Sequence, residues 1–204
     1  MNYIGIIGRK NNETTTFNNE IIDVIFRYNC IPLGIIVDPD KDNFNDFKKI
    51  IDMCSGFILQ GGVMYNDIDL KIVKYLYNHD IATLGICLGM QTMAVAINGK
   101  MVIGKLQHHN SVKPYVHDII IDKNSKLYEI IKKERITVNS RHKDYISNTD
   151  LEISSFATIN EAVIESVEDK SKKFFIGVQW HPETLMDENS VLLFDYFFKV
   201  LRKN

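Results

Sequence analysis

The strongest constraint on this chain is a stretch that changes period in one step: "TLGICLGMQTMAVAING", residues 83–99. Thr83, Leu84 and Ile86 have the character of a buried strand, whereas Met90, Met93, Ala94 and Ile97 recur at helical spacing, with Gly99 placed to end the helix. Cys87 falls where the two patterns meet. Gly85 and Gly89 allow two backbones to approach at a sharp strand-to-helix turn, the arrangement that lifts a nucleophile out of a sheet. A sulfur at that position lies near the unpaired N–H groups of a helix start, which favour the thiolate. For a lone cysteine, a small packed residue is an equal alternative.

The residues before this turn repeat the same alternation. Tyr3 to Ile7 is expected as a strand, Ile21, Ile22, Ile25 and Tyr28 mark a helix, and Leu33 to Val37 is a second strand. Phe44, Phe47, Ile50 and Ile51 mark another helix, followed by a strand from Gly56 to Leu59. Ile68, Ile72 and Leu76 form a helical stripe with Asn66 as its cap, and Ile81 to Ile86 enters the turn. Four βα units in a row imply a parallel sheet covered on both faces. The second half is richer in strands: Val116 to Ile121, Ile136 to Asn139, Leu151 to Thr158, Ala162 to Val167 and Phe174 to Gln179. Residues 168–173, "EDKSKK", suit a turn, and Leu193, Phe197, Val200 and Leu201 mark a closing helix. The expected fold is an open, mostly parallel α/β sheet of flavodoxin-like type, with helices on both faces and an added strand-rich C-terminal portion.

With 204 residues, 45% hydrophobic and 25% charged, the chain has enough material for one core, and a single domain over 1–204 is expected. A net charge of -2 argues against an extended nucleic-acid or anionic-membrane surface. The N-terminus begins at once with a strand pattern, and no apolar run approaches membrane-spanning length, so a cytoplasmic protein is expected. Cys30, Cys54 and Cys87 are odd in number and lack C-x-x-C spacing, against both a disulfide framework and a zinc knuckle. Cys30 and Cys54 are expected as inert fillers at helix ends. His108 and His109 are adjacent and would diverge in a strand, so no metal site is expected.

A cysteine at a turn needs a base. "FFIGVQWHPE", residues 174–183, supplies one: Pro182 disfavours the helical region for His181 and holds it extended. Residues two apart in an extended stretch point the same way, which brings Glu183 within reach of the imidazole. Cys87, His181 and Glu183 then form a nucleophile, a base and an orienting carboxylate. His79, His108, His109 and His117 have structural roles as their default, and Trp180 is expected in the core.

Three separated motifs, "ILQGG" (58–62), "GICLGMQ" (85–91) and "GVQWHPE" (177–183), stand in an order that resembles the class I glutamine amidotransferase superfamily. Within it the chain is most similar to the gamma-glutamyl hydrolase branch, which includes gamma-glutamyl-gamma-aminobutyrate hydrolases. "VNSRH" (138–142) resembles that branch's Asn-Ser-x-His motif, and "LEISSFATINEAVIESVED" (151–169) its following pair of strands. Three positions depart from the pattern: Leu88 stands where the branch often has Arg, Lys143-Asp144 replaces His-Gln or Gly-Gln, and Gln60 replaces the proline before Gly61-Gly62.

The resemblance implies a cysteine-dependent hydrolase of gamma-glutamyl amide bonds, acting through a gamma-glutamyl thioester and releasing glutamate and an amine. It further implies an oxyanion hole from the backbone N–H groups of Gly62 and Leu88, and substrate contacts from Gln91, Ser140 and His142. No metal or organic cofactor is implied. The alternative is a glutaminase component that delivers ammonia to a synthetase partner, which the Cys-Leu-Gly wording of the turn allows. In either case the ligand is a small gamma-glutamyl amide or glutamine, with no nucleic acid or membrane partner.

Overall fold

The computed structural model describes residues 2–11, 13–37, 44–104, 110, 112–159 and 163–202. The first half runs β1 (Tyr3–Ile7), β2 (Arg9–Asn11), β3 (Thr14–Thr16), α1 (Asn19–Arg27), β4 (Ile31–Ile35), α2 (Phe44–Asp52), β5 (Gly56–Leu59), α3 (Asp67–Asn78), β6 (Ala82–Ile86) and α4 (Leu88–Ala96). The second half continues with β7 (Lys100–Val102), β8 (His117–Ile121), α5 (Lys126–Ile131), β9 (Arg135–Val138), β10 (Tyr145–Asn148), β11 (Glu152–Ala157), β12 (Ile164–Glu168), β13 (Phe175–Val178), α6 (Pro182–Leu185) and α7 (Glu188–Leu201).

Nine strands form one mixed sheet in the order β4-β1-β5-β6-β13-β12-β11-β8-β9. From β4 to β13 every neighbour is parallel, as consecutive βα units require, and from β13 to β9 every neighbour is antiparallel. The decisive joint is β13 beside β6, with Gly177 opposite Gly85 and Val178 opposite Ile86. Both strands end at the same level, and Cys87 N–H donates to the Val178 carbonyl at 2.8 Å.

Strand residues alternate between two cores. Ile4, Ile6, Ile58, Leu84, Ile86, Ile176 and Val178 face α1, α5 and α7, whereas Ile7, Phe57, Leu59 and Phe175 face α2, α3 and α4. α4 is buried on nearly its whole circumference, so its apolar spacing marks a helix sunk in the core rather than a surface stripe. It ends through Asn98, which takes the left-handed conformation at φ 57°, while Gly99 N–H donates to Ala94 O at 2.8 Å. The left-handed residue is therefore the one before the expected glycine. No helix among the described residues is long and apolar enough to cross a membrane.

The second strand, expected over Leu33 to Val37, instead spans Ile31–Ile35, because its pairing with Tyr3–Ile7 starts at Ile31. Pro32 is accommodated because β4 is an edge strand. Ala162, expected to open a strand, lies outside the described residues, and that strand is β12 from Ile164. The turn expected at 168–173 joins β12 to β13, and Asp169 accepts from Ser171 N and Oγ at 2.8 and 2.6 Å. The β2/β3 hairpin, the β7/β10 ribbon, α5 and α6 have no counterpart among the sequence expectations.

Asn66 caps α3 as expected: its Oδ1 accepts from Asp69 N–H at 3.1 Å while Asp69 returns a carboxylate to Asn66 N–H at 3.0 Å. Asn66→Ala should therefore lower unfolding stability by about 1 kcal/mol. Urea denaturation measures this, and an unchanged midpoint would show that the cap contributes nothing.

Candidate active site

Cys87 occupies the bend between β6 and α4 with φ 52° and ψ −108°, a backbone conformation that L side chains rarely adopt. Two glycines make the bend possible. A Cβ on Gly89 would overlap the Leu59 carbonyl, and one on Gly85 would lie 2.8 Å from Met90 N. The close approach expected at the turn is thus real, between α4 and strands β5 and β6. The Cys87 side chain makes no capping bond to its own helix. Its thiol is instead hydrogen-bonded to His181.

His181 follows β13 and is buried to 9% exposure. Its Nδ1 lies 2.7 Å from Glu183 Oε1. A carboxylate only accepts, so Nδ1 carries the proton and Nε2 is the nitrogen left for the thiol. The expected contact is present, but its route is different. His181 is extended, at φ −110° and ψ 82°, and the chain then enters the helical turn α6 with Pro182 as its first residue. Glu183 reaches the imidazole from that turn and not along an extended strand. Burial works against a charged imidazole, yet the Cys87 and Glu183 bonds outweigh it and hold the His181 pKa up at about 10.

The glycines of the β5 loop complete the surroundings. A Cβ on Gly61 would stand 2.9 Å from His181 Cε1 and 3.6 Å from Cys87 Cβ, and one on Gly62 would stand 3.0 Å from Leu88 Cδ2. Leu88 is the first residue of α4, where an N–H has no intrahelical acceptor. Gln60, in place of the proline, holds this loop by hydrogen bonds: Nε2 donates to Ile7 O and Thr16 O at 2.8 and 3.0 Å, and Oε1 accepts from Asn18 N–H at 2.7 Å. Beneath it Arg9 and Asp69 form a buried ion pair at 2.9 Å. A cavity of about 310 Å³ opens here, bordered by Arg9, Thr16, Asn18, Gln60, Gly61 and Gly62.

The residues expected to touch substrate lie deeper. Gln91 is 3% exposed, and its Nε2 donates to Asp144 O at 2.9 Å and to Gln179 Oε1 at 3.0 Å. Its amide hydrogens are both used within the protein. His142 donates from Nδ1 to the same Asp144 carbonyl at 3.0 Å, and its Nε2 stands 3.7 Å from Glu165 Oε1. His117 meets that carboxylate at 3.1 Å. Ser140 is fully buried and its carbonyl accepts from Asn110 N–H at 2.8 Å. Ser140 and His142 therefore belong to a buried polar layer against α4 and present almost no accessible surface.

Of the remaining histidines, His79 closes α3 and stacks on Tyr75, in keeping with a structural role, whereas His108 and His109 lie outside the described residues. No cluster suited to a metal ion occurs among the described residues. Trp180 is in the core, as are Cys30 and Cys54. Sequence reasoning gives no role to Gln60, Arg9 or Asn139. Asn139 stands inside the "VNSRH" stretch, but only Ser140 and His142 carry an expectation there.

Known proteins match both the sequence and the fold. The Peptidase C26 family model matches residues 64–183, a span that includes Cys87, His181 and Glu183. The chain is 32% identical over 151 residues to the glutamine-hydrolyzing component of the GMP synthase of Methanothrix thermoacetophila, covering 74% of this chain and 79% of that protein. It is 33% identical to the GMP synthase of Francisella tularensis subsp. novicida over 70% of this chain, but spans only 27% of that longer protein. Among solved structures, the glutaminase domain of Trypanosoma brucei CTPS with bound acivicin superposes with a TM-score of 0.75 at 18% identity, covering 98% of this chain and 94% of that one. A glutamine amidotransferase from Thermotoga maritima gives a TM-score of 0.65 at 14% identity, covering 98% and 95%. The expected place within the gamma-glutamyl hydrolase branch is corrected by the sequence relatives, which are glutamine-hydrolyzing GMP synthases and their separate glutamine-hydrolyzing components. A strand-to-helix bend carrying a cysteine, a histidine strand paired beside it and a family match spanning both assign this chain to the Peptidase C26 family, with the class I glutamine amidotransferase-like fold.

Proposed function

We propose that this chain is a glutaminase of the amidotransferase type, hydrolysing glutamine and passing ammonia to a synthetase partner. The observation that carries the reaction is the meeting of the Cys87 thiol with the His181 imidazole at the ends of paired strands, with Glu183 behind it. Similarity to a separate glutamine-hydrolyzing protein over 79% of its length supports this reading over a stand-alone gamma-glutamyl hydrolase. The partner suggested by the same relatives is a GMP synthase-type synthetase.

In the proposed reaction the Cys87 thiolate attacks the side-chain carbonyl carbon of glutamine. The oxygen becomes an oxyanion facing the N–H groups of Gly62 and Leu88. Collapse breaks the C–N bond as the His181 imidazolium donates its proton to the departing nitrogen, which leaves as ammonia. His181, now neutral, takes a proton from water as the oxygen attacks the thioester. Glutamate is released and the thiolate–imidazolium pair is restored. Glu183 keeps the imidazole in one tautomer throughout. Gln91, Ser140 and His142 act in this scheme by shaping the wall behind α4, where Gln91 and His142 bond other protein groups.

The first expected outcome concerns substrate and partner. The isolated protein releases ammonia from glutamine slowly, the synthetase component of a GMP synthase raises the rate, and Cys87→Ala abolishes it while changing stability by no more than about 1 kcal/mol. A substrate panel in which gamma-glutamyl amines are cleaved faster than glutamine, with no response to the synthetase, would favour the hydrolase instead.

Thiol labelling gives a second check. Burial pushes the Cys54 thiol up to about 12 and raises that of Cys30, so both should resist alkylation. Iodoacetamide should modify Cys87 first, and His181→Ala should slow that step at least about tenfold. Equal labelling of all three cysteines in the folded protein would contradict an activated nucleophile.

The pH profile follows from His181. A raised pKa means the imidazole keeps its proton to higher pH, so the thiolate–imidazolium pair survives across neutrality and is lost only as pH rises through about 10. The alkaline limb of kcat/KM for glutamine should lie above about pH 9; a limb near the ordinary histidine value of about 6.5 would exclude this pairing.

A further inference from the structure

The His181 main chain is gripped by one side chain from the far end of the sheet. Asn139, 1% exposed, directly follows β9, the edge strand four places from β13 in the sheet order. Its Oδ1 accepts from His181 N–H at 2.8 Å, and its Nδ2 donates to His181 O at 3.0 Å. The same Nδ2 donates to Thr184 Oγ1 at 3.1 Å, and Thr184 Oγ1 donates to His181 O at 3.0 Å. A planar amide thus pairs with both polar groups of one residue, as a neighbouring strand would. It does so in the short gap where β13 has ended at Val178 and α6 has not begun.

This grip bears on geometry at the thiol. With both peptide groups flanking the His181 Cα held, the imidazole can move only about its own side-chain bonds. Nδ1 is then anchored on Glu183 Oε1 at 2.7 Å. Release of the main chain would let the ring follow Glu183 and withdraw from Cys87. We propose that Asn139 is a positioning residue, whose amide sets the His181 main chain so that the imidazole meets Cys87 and Glu183 together. The inference rests on the glutaminase reading for its catalytic meaning, but not for its measurement.

Asn139→Leu keeps the volume and removes both hydrogen bonds, whereas Asn139→Asp keeps the acceptor for His181 N–H and loses the donor to its carbonyl. Misplacement of a reacting group by about 1 Å can cost about a hundredfold, so Asn139→Leu should lower kcat for glutamine about 10- to 100-fold with KM within about twofold. Alkylation of Cys87 by iodoacetamide should slow toward the rate of His181→Ala, with Asn139→Asp between Leu and wild type on both measures. A merely structural role would lower the melting temperature but leave kcat and Cys87 alkylation of the folded protein at wild-type values, and that result overturns the proposal. Should Asn139→Leu fail to fold, the same two readings on Asn139→Asp decide. If the wild-type protein does not hydrolyse glutamine, the glutaminase reading fails while the alkylation comparison still decides the role of Asn139.

Discussion

The parallel pairing of β6 with β13 is the interaction on which the rest depends. These strands are neighbours in space and about ninety residues apart in sequence, and their shared register places Cys87 and His181 beyond the same end of the sheet. The bond from Cys87 N–H to Val178 O extends the ladder by one step past Ile86. That last rung holds the bend against its own strain. A non-glycine residue in such a conformation costs on the order of 1–3 kcal/mol and persists where its surroundings over-determine it. Here the surroundings are a buried α4, Gly89 pressed on the Leu59 carbonyl and a completed parallel ladder on both sides of β6.

Electrostatics at the bend reinforce the same geometry. Burial alone would keep the imidazole neutral, but the thiol and the Glu183 carboxylate face it from two sides and reverse the outcome. The helix start adds partial positive charge beside the sulfur. A charged pair is therefore maintained in a site that is largely closed to water, and it is held by contacts from three different loops: after β5, after β6 and after β13.

Elements with a clear period were legible in the sequence, and elements without one were not. β1, β5 and α3 lie where alternation or helical spacing puts them, and Asn66 caps α3 through the chemistry its type suggests. β2, β3 and β7 have three residues each and α6 has four, too few to show a period. Cys87, His181 and Glu183 were legible because each carries a local signature of glycine or proline. Glu183 found its partner by a helical turn instead of an extended strand, since a proline that forbids helix before it also favours starting one after it. Gln60 and Asn139 were not legible as holders of the site. Their hydrogen bonds span 42 to 53 residues in sequence, and no spacing rule encodes such a contact. Gln91 and His142 were read by motif as facing a ligand, yet both bond the Asp144 carbonyl.

The insertion of β13 between β6 and β12 also orders events in time. As the chain leaves the ribosome, β4, β1, β5 and β6 can pair in turn, but the free edge of β6 has no partner until Phe175–Val178 emerges. At synthesis rates of about 5–20 residues per second, that edge waits roughly 5 to 20 seconds. An apolar parallel strand left open for so long is a template for pairing with other chains. The nucleophile is thus made early and armed late: the nascent protein carries Cys87 without its base, and the strand that ends the aggregation hazard is the one that delivers His181.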